Sequence, residues 1–397
     1  MGQLCGVDRV RKQSALLVAQ PILLPMRRTW FVFLAVIALN VFIAFVSGQA
    51  SSQSVPAIWQ MQDSGTDAGL RGIFSVDGTV AWASGTGGTV LRTIDGGAHW
   101  TKCAVPDGDK DGATLDFRGV QAWDADTAIV MASGPGEKSR LYKTTDGCKT
   151  WKLLFTNPDA PNGFFDSFWM HPQYKDGIVL GDPVNDRIVV FETHDGGTRW
   201  KGDSDFGLVV KKMSIGGFAA SNSLFAQTRS GYMYGFVVGG KSGSYYFHRN
   251  SSFDHWSRVR LPFAGQSESS GPFSFAMRWT RPHCTDCVHP VDYFFVAVGG
   301  DYTKSNDSTG TAAYSLDGGK HWTASTKPPH GYRSTVQWSE QLHAWITAGT
   351  NGSDISRDDG KTWQPLDDGN WNALSLPFIV GPKGRIAKLN SAALPKL

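Results

Sequence analysis

The residues of this chain best equipped to do chemistry are an acid and an aromatic held at one spacing: Asp95 with Trp100, Asp146 with Trp151, Asp195 with Trp200, Asp317 with Trp322, and Asp358 with Trp363. Acids repeated beside aromatic rings invite a reading as a ligand site, but the surrounding letters point elsewhere. Each pair sits in the pattern Ser/Thr-x-Asp-x-Gly-x-x-Trp, with Cys148 in place of the Gly in the second copy. An Asp side chain accepts hydrogen bonds from the next few backbone N–H groups, the Gly supplies a positive φ, and the hydroxyl ties down the incoming strand. The Trp then opens the outgoing strand and buries a large ring with a polar handle. These five acids are therefore expected as turn residues rather than reactive ones.

Three other carboxylates are candidates for catalysis. Asp166 opens an apolar run, Phe164-Phe165-Asp166-Ser167-Phe168, while Asp182 and Asp301 sit in Gly181-Asp182-Pro183-Val184 and Gly299-Gly300-Asp301-Tyr302. Two carboxylates across one cleft could support glycoside hydrolysis, which keeps a glycosidase or a carbohydrate-binding protein as the alternative function. Four cysteines, Cys103, Cys148, Cys284 and Cys287, follow the N-terminal segment. In an oxidising compartment they allow three pairings, of which Cys103 with Cys148 and Cys284 with Cys287 is expected. The competing use is a metal site at His283-Cys284-Thr285-Asp286-Cys287-Val288-His289, but one Cys-x-x-Cys is a weak signal and no metal is expected. A dinucleotide fingerprint on a strand-turn-helix unit is missing, and no cofactor is expected.

These residues must be held by β structure. Gly is 46 of 397 residues and Trp 15, a mixture that favours turns and strands over helices. The first unit reads as four short strands: Leu70-Arg71-Gly72-Ile73-Phe74, Val80-Ala81-Trp82-Ala83, Thr89-Val90-Leu91-Arg92-Thr93, and a last one opening at Trp100. Four strands with turns between them are the pattern of one β-propeller blade. The motif tryptophans, with Trp256 in a degenerate fourth unit, are spaced 51, 49, 56, 66 and 41 residues apart. A blade takes about 40–50 residues, so the long intervals mark loop insertions. In the fourth unit Phe218-Ala219-Ala220 is expected among the strands. A seventh unit after Trp363 has three strands and no motif Trp, and the lone strand at Trp59 supplies its fourth. The expected fold is all-β, a seven-bladed propeller over residues 57–390 closed by the N-terminal strand, which leaves no large unpaired sheet edge.

Residues 26–50 read as a signal peptide or membrane anchor: Arg27-Arg28, an apolar run from Trp30 to Val46, and the small residues Ser47, Gly48 and Ala50. Residues 1–25 fit neither role, and Met26 is a natural start, so they are expected to be a mis-assigned extension. Residues 51–56 form a linker and 391–397 a tail. The protein is thus expected to be exported, periplasmic or secreted, touching a membrane only through an uncleaved N-terminal segment. Without residues 1–50 the chain carries 33 basic and 34 acidic residues, which lacks the basic excess of a nucleic-acid binder.

The repeated turn resembles the Asp-box (BNR) repeat of sialidases and related propellers. The fuller pattern, Leu70-Arg71-Gly72-Ile73 followed by Gly85-x-Gly87-Gly88-x-Val90-Leu91-Arg92-Thr93-x-Asp95-Gly96-Gly97-x-x-Trp100, is similar to the photosystem II stability/assembly factor family and its exported bacterial relatives. The similarity covers nearly all of residues 57–390; its motifs are specific for fold and poorly specific for function. It implies a non-catalytic assembly factor that binds a membrane-protein subunit through an arginine-rich surface, and the protein is expected to be a monomer. The matching arginines are Arg71, Arg118 and Arg333, each opening the first strand of a unit. A guanidinium fork suits carboxylate recognition, while the plainer alternative is that these arginines satisfy carbonyls between blades. The Arg-Ile-Pro motif that sialidases of this repeat class carry is missing from the chain, and seven units differ from their six.

Overall fold

Turn signals between short strands, with unit tryptophans 41 to 66 residues apart, force the chain to reverse repeatedly, and the result is a ring of small antiparallel sheets. The computed structural model describes residues 57–395, except 172, 174, 205, 228–233, 251–253 and 281–291. Among the described residues there are seven four-stranded sheets, and in six of them the strands follow chain order. Blade 1 runs Leu70–Ser75, Ala81–Gly85, Val90–Thr93 and Thr101–Lys102 from the axis outward. The seventh sheet takes Ala373–Ser375, Phe378–Val380 and Ile386–Leu389 from the end of the chain and Trp59–Gln62 from its start. Trp59 pairs with Leu389 and Gln62 with Ile386, antiparallel, so the first strand closes the last blade.

The second strands of blades 1, 2 and 6, Ala81–Gly85, Ala128–Ala132 and Ala344–Gly349, are buried along their whole length because a neighbouring blade covers each face. That explains their continuous apolar sequence, where a one-sided sheet would alternate. Tryptophans stitch blade to blade: the Trp82 indole N–H donates to the Asp124 carbonyl (3.0 Å).

All five acidic turns have one geometry. In the first, Thr93 Oγ1 donates to Asp95 Oδ1 (2.8 Å) and accepts from Gly97 N (2.9 Å), while Asp95 Oδ1 accepts from His99 N (3.0 Å). Asp146, Asp195, Asp317 and Asp358 repeat it. Cys148 adopts a positive φ of +65°, where Gly in the other copies takes +80° to +88°. It is also bonded to Cys103 (Cα–Cα 5.3 Å), which ties the outer strand of blade 1 to the acidic turn of blade 2. Cys284 and Cys287 lie outside the described residues, as does the N-terminal segment.

Blade 4 differs from expectation. Its strands are Phe225–Gln227, Tyr234–Val238, Ser244–Arg249 and Ser257–Leu261, and Phe218-Ala219-Ala220 is loop. The lost acidic turn is replaced by charge: buried Arg249 pairs with Glu192 and Asp203, and the Trp256 indole also donates to Asp203 (3.0 Å).

Candidate functional site

In blades 1, 2 and 3 the register between the first two strands shifts at one residue, making Arg71, Arg118 and Asp166 the extra residue of a β-bulge. Phe273 holds the same place in blade 5. Bulges re-aim a side chain, and all four line one cavity of about 980 Å³ at the propeller axis. Every blade contributes to its wall; blades 4, 6 and 7 do so through Gly239, Ser334 and Asn372. First strands start at the cavity and end at turns such as Asp77-Gly78. Gly96 of the acidic turn donates to Thr79 O there (2.8 Å), so the acidic turns occupy the opposite face.

One part of the wall is cationic. Asp116 holds both arginines: Arg118 Nε donates to its Oδ2 (2.8 Å), and Arg71 Nε lies 3.6 Å from its Oδ1. Arg118 also donates to the Ala219 carbonyl (3.1 Å). Their side chains remain 35% and 28% exposed, so the forks are aligned and still open to a ligand. Asp116 stands just before the strand Phe117–Ala122, two residues from Arg118 at the bulge, and this Asp-x-Arg spacing is the sequence signal for the pair.

A second part is acidic. Asp166 is 1% exposed, and Asp182 follows Gly181, the partner of Phe165 on the next strand. Burial pushes the Asp166 carboxyl well above the usual range; the Asp182 charge adds to this and Arg118 opposes it. Asp182 is raised to about 6 by burial, against a hydrogen bond from the Gly217 N–H. The two acids therefore stand side by side in one blade rather than on opposite sides of a cleft. Asp301 does not join them. It caps a turn, accepting from Thr303 N (3.0 Å) and Oγ1 (2.6 Å).

The third part is aromatic. Phe218 stacks on Phe273 at 3.9 Å between ring centres, with Tyr332 edge-on to Phe273 at 4.8 Å and Tyr302 at 6.1 Å. The loop carrying Phe218 is fixed by two backbone hydrogen bonds between Gly216 and Gly239 (2.9 and 3.0 Å).

Arg333 corrects the expectation of a third binding arginine. It is fully buried, where its Nε donates to Asp354 Oδ2 (2.6 Å) and Nη1 to the Tyr332 carbonyl (2.7 Å). Asp354 stands two residues before Ser356, where blades 1 and 2 have Leu91 and Tyr142 before Thr93 and Thr144. Thr335 pairs with Ala348 as Gly72 pairs with Ser84, so Ser334 takes the cavity-facing place of Arg71, and Arg333, one residue earlier, meets this buried carboxylate inside the blade.

The raised acids give a signed pH prediction. A carboxyl whose folded pKa is raised contributes stability that is complete below the unfolded value near 3.8 and is lost as pH rises through the folded value. The protein should thus lose on the order of 2 kcal/mol from Asp182 between about pH 4 and pH 7. Asp166→Asn removes the repulsion between the pair. Thermal unfolding across that range should show the variant melting above the parent at neutral pH and converging with it in acid. Parallel curves would contradict the burial of the pair.

No protein-family model matches the chain. The photosystem II assembly lipoprotein Ycf48 of Synechococcus sp. (strain CC9902) is 25% identical over 146 residues, covering 36% of this chain and 39% of that protein. The chain therefore spans about two fifths of the length of that relative. Two solved structures agree over far more. Ycf48 from Cyanidioschyzon merolae matches with a TM-score of 0.56 at 18% identity, over 85% of this chain and all of the other. A structure described as Ycf48 bound to D1 peptide matches with a TM-score of 0.54 at 17% identity, over the same shares. At that identity the likeness is one of fold, and the fold it supports is the seven-bladed propeller described above.

Proposed function

We propose that this chain is an exported, non-catalytic propeller that takes a carboxylate-bearing segment of a partner protein into its axial cavity and assists the assembly or stability of a membrane or envelope complex. The observation that carries this reading is the pairing of Arg71 and Arg118 on adjacent bulges, aligned by one shared aspartate and still open to the cavity. Such forks bind carboxylate through two charge-assisted hydrogen bonds each. The resemblance to Ycf48, one structure of which holds a peptide, supports a peptide as the occupant. The aromatic wall offers apolar area to the rest of the segment. Export rests on the residue pattern of 26–50, with residues 57–390 as the delivered propeller.

The test is a peptide array with free and amidated carboxyl groups, read by fluorescence anisotropy. Reversing both charges, Arg71→Glu with Arg118→Glu, should weaken binding of carboxylate peptides by about 100-fold or more, since truncated charge pairs in interfaces cost roughly 2–5 kcal/mol. Unchanged affinity in a folded double variant would remove this surface from the function.

A further inference from the structure

We propose that Asp166 and Asp182 form a cation subsite in the axial cavity, which receives the ammonium or guanidinium of a Lys or Arg lying next to the carboxylate of the bound segment. This rests on the reading of the cavity as a peptide site and adds a second determinant to it.

The first observation is an unmet hydrogen-bonding need. Asp166 is almost fully buried in the cavity wall, and its Oδ2 has no hydrogen-bond partner among the described residues. An unsatisfied buried acceptor is costly and rare in native structures, so its retention calls for a partner. The charge of Arg118 acts on it, but Arg118 Nε and Nη1 donate to Asp116 and the Ala219 carbonyl, and no hydrogen bond joins Arg118 to Asp166.

The second observation is the shape of the loop over the acids. A Cβ on Gly216 would fall 2.3 Å from Asp182 Oδ1, and one on Gly217 would fall 2.4 Å from Asp166 Oδ2. Only two successive glycines let this backbone close down on both carboxyls, and the loop is then pinned to Gly239. The arrangement brings two acids together under a fixed cover.

The choice of an organic cation follows from the donor set. Among the described residues no group of three or more His, Cys, Asp or Glu is placed to hold a metal. Two carboxylates in a wall suit a single ammonium or guanidinium, which can donate to both. Arg118 and Asp166 occupy equivalent bulges of adjacent blades, so the anion-binding and cation-binding positions are neighbours. The ligand they fit is dipolar, with a basic side chain beside a carboxylate.

Protons are linked to this step. Other charged groups on the cavity are Arg71, Arg118, Asp186 and Glu268, and the loop Gly216–Ala220 brings none. Because burial favours the protonated acids, an entering cation displaces a proton from the pair, and its affinity rises with pH through the range where the acids titrate.

The experiment compares two peptides that share one free carboxyl group and differ at the adjacent residue, lysine or norleucine, by calorimetry on the full chain. At about pH 7.5 the lysine peptide should bind the parent about tenfold tighter, with a preference that shrinks near pH 5. In Asp166→Asn/Asp182→Asn the two peptides should bind equally. Equal binding to the parent, lost for both in Arg71→Glu/Arg118→Glu, would overturn the cation subsite and leave the carboxylate site standing. If neither peptide binds the parent, the peptide reading falls, and the subsite is judged on n-butylammonium alone. A rise in melting temperature over a sodium control that the Asn variant lacks would uphold it, and equal shifts would overturn it. The Asn variants remove buried charge, so their melting temperature, expected at or above the parent's, guards against misfolding.

Discussion

Replacing Arg333 with alanine should destabilise the propeller by about 3–5 kcal/mol, among the largest effects open to a single residue here. Both partners of the ion pair are fully buried, with Arg333 and Asp354 at 0% exposure. Removing the guanidinium strands a carboxylate in an environment that cannot hydrate it. Asn351 Oδ1 and the Tyr332 carbonyl also lose their donor. His330, which contacts Asp354 Oδ1 through Nδ1 (2.8 Å) and is raised by that hydrogen bond, gives only partial compensation from a half-buried position. The double change Arg333→Met with Asp354→Leu should recover most of the loss, because apolar residues of similar volume replace a buried pair at little cost. Urea unfolding of the parent and the two variants measures this. A single variant within about 1 kcal/mol of the parent would contradict a structural role. The double variant should also keep its peptide affinity, which separates Arg333 from Arg71 and Arg118.

The second large effect concerns ring closure. Trp59→Ala should cost about 3–5 kcal/mol, the range for a large aromatic deleted from a core. Trp59 is 5% exposed, its indole donates to Ser353 Oγ (2.9 Å), and its ring meets Trp371 at 6.1 Å. It packs with Ile346 and Ile355 of blade 6 as well as Ile379 of its own blade, so it joins two blades at once. Beginning the chain at Asp63 removes the whole strand and exposes the backbone edge of Ile386–Leu389, an edge open to pairing with other chains. Size-exclusion chromatography should show the truncated protein associating, and a synthetic peptide spanning 55–63 should restore the monomer. A truncated chain that stays monomeric with the parent's unfolding midpoint would refute closure as a source of stability.

Much of this architecture is written in short-range chemistry, which is why it can be read from the letters. The acidic turn depends on residues within eight positions of one another, and its five copies mark five of the seven blades. Trp59 could be assigned to the far end because the last unit had three strands and no Trp of its own. The aligned positions of Arg71, Arg118 and Asp166 were legible for a similar reason, since the bulge falls at one place in the repeat. Arg333 stands one residue earlier, because Thr335 pairs with Ala348 as Gly72 pairs with Ser84 and Ser334 takes the place of Arg71; its partner is Asp354 on the third strand, a contact between residues 21 apart that no local pattern reports. The cover at Gly216-Gly217 and the loop position of Phe218 were missed because that connection has no period. A three-residue apolar run does not distinguish strand from loop.

The closing strand also sets an order of events. Trp59 precedes the other strands along the chain, yet its partner Leu389 lies beyond all of them. During synthesis, the first strand must wait uncommitted while the other blades form. Pairings between such distant segments are slow to find, and the edges they leave open are exposed to other chains in the meantime. Completion of the ring is therefore a natural checkpoint: a chain cut short before its last strand has no partner for its first. Such a chain keeps an open sheet edge and stays a target for proteolysis.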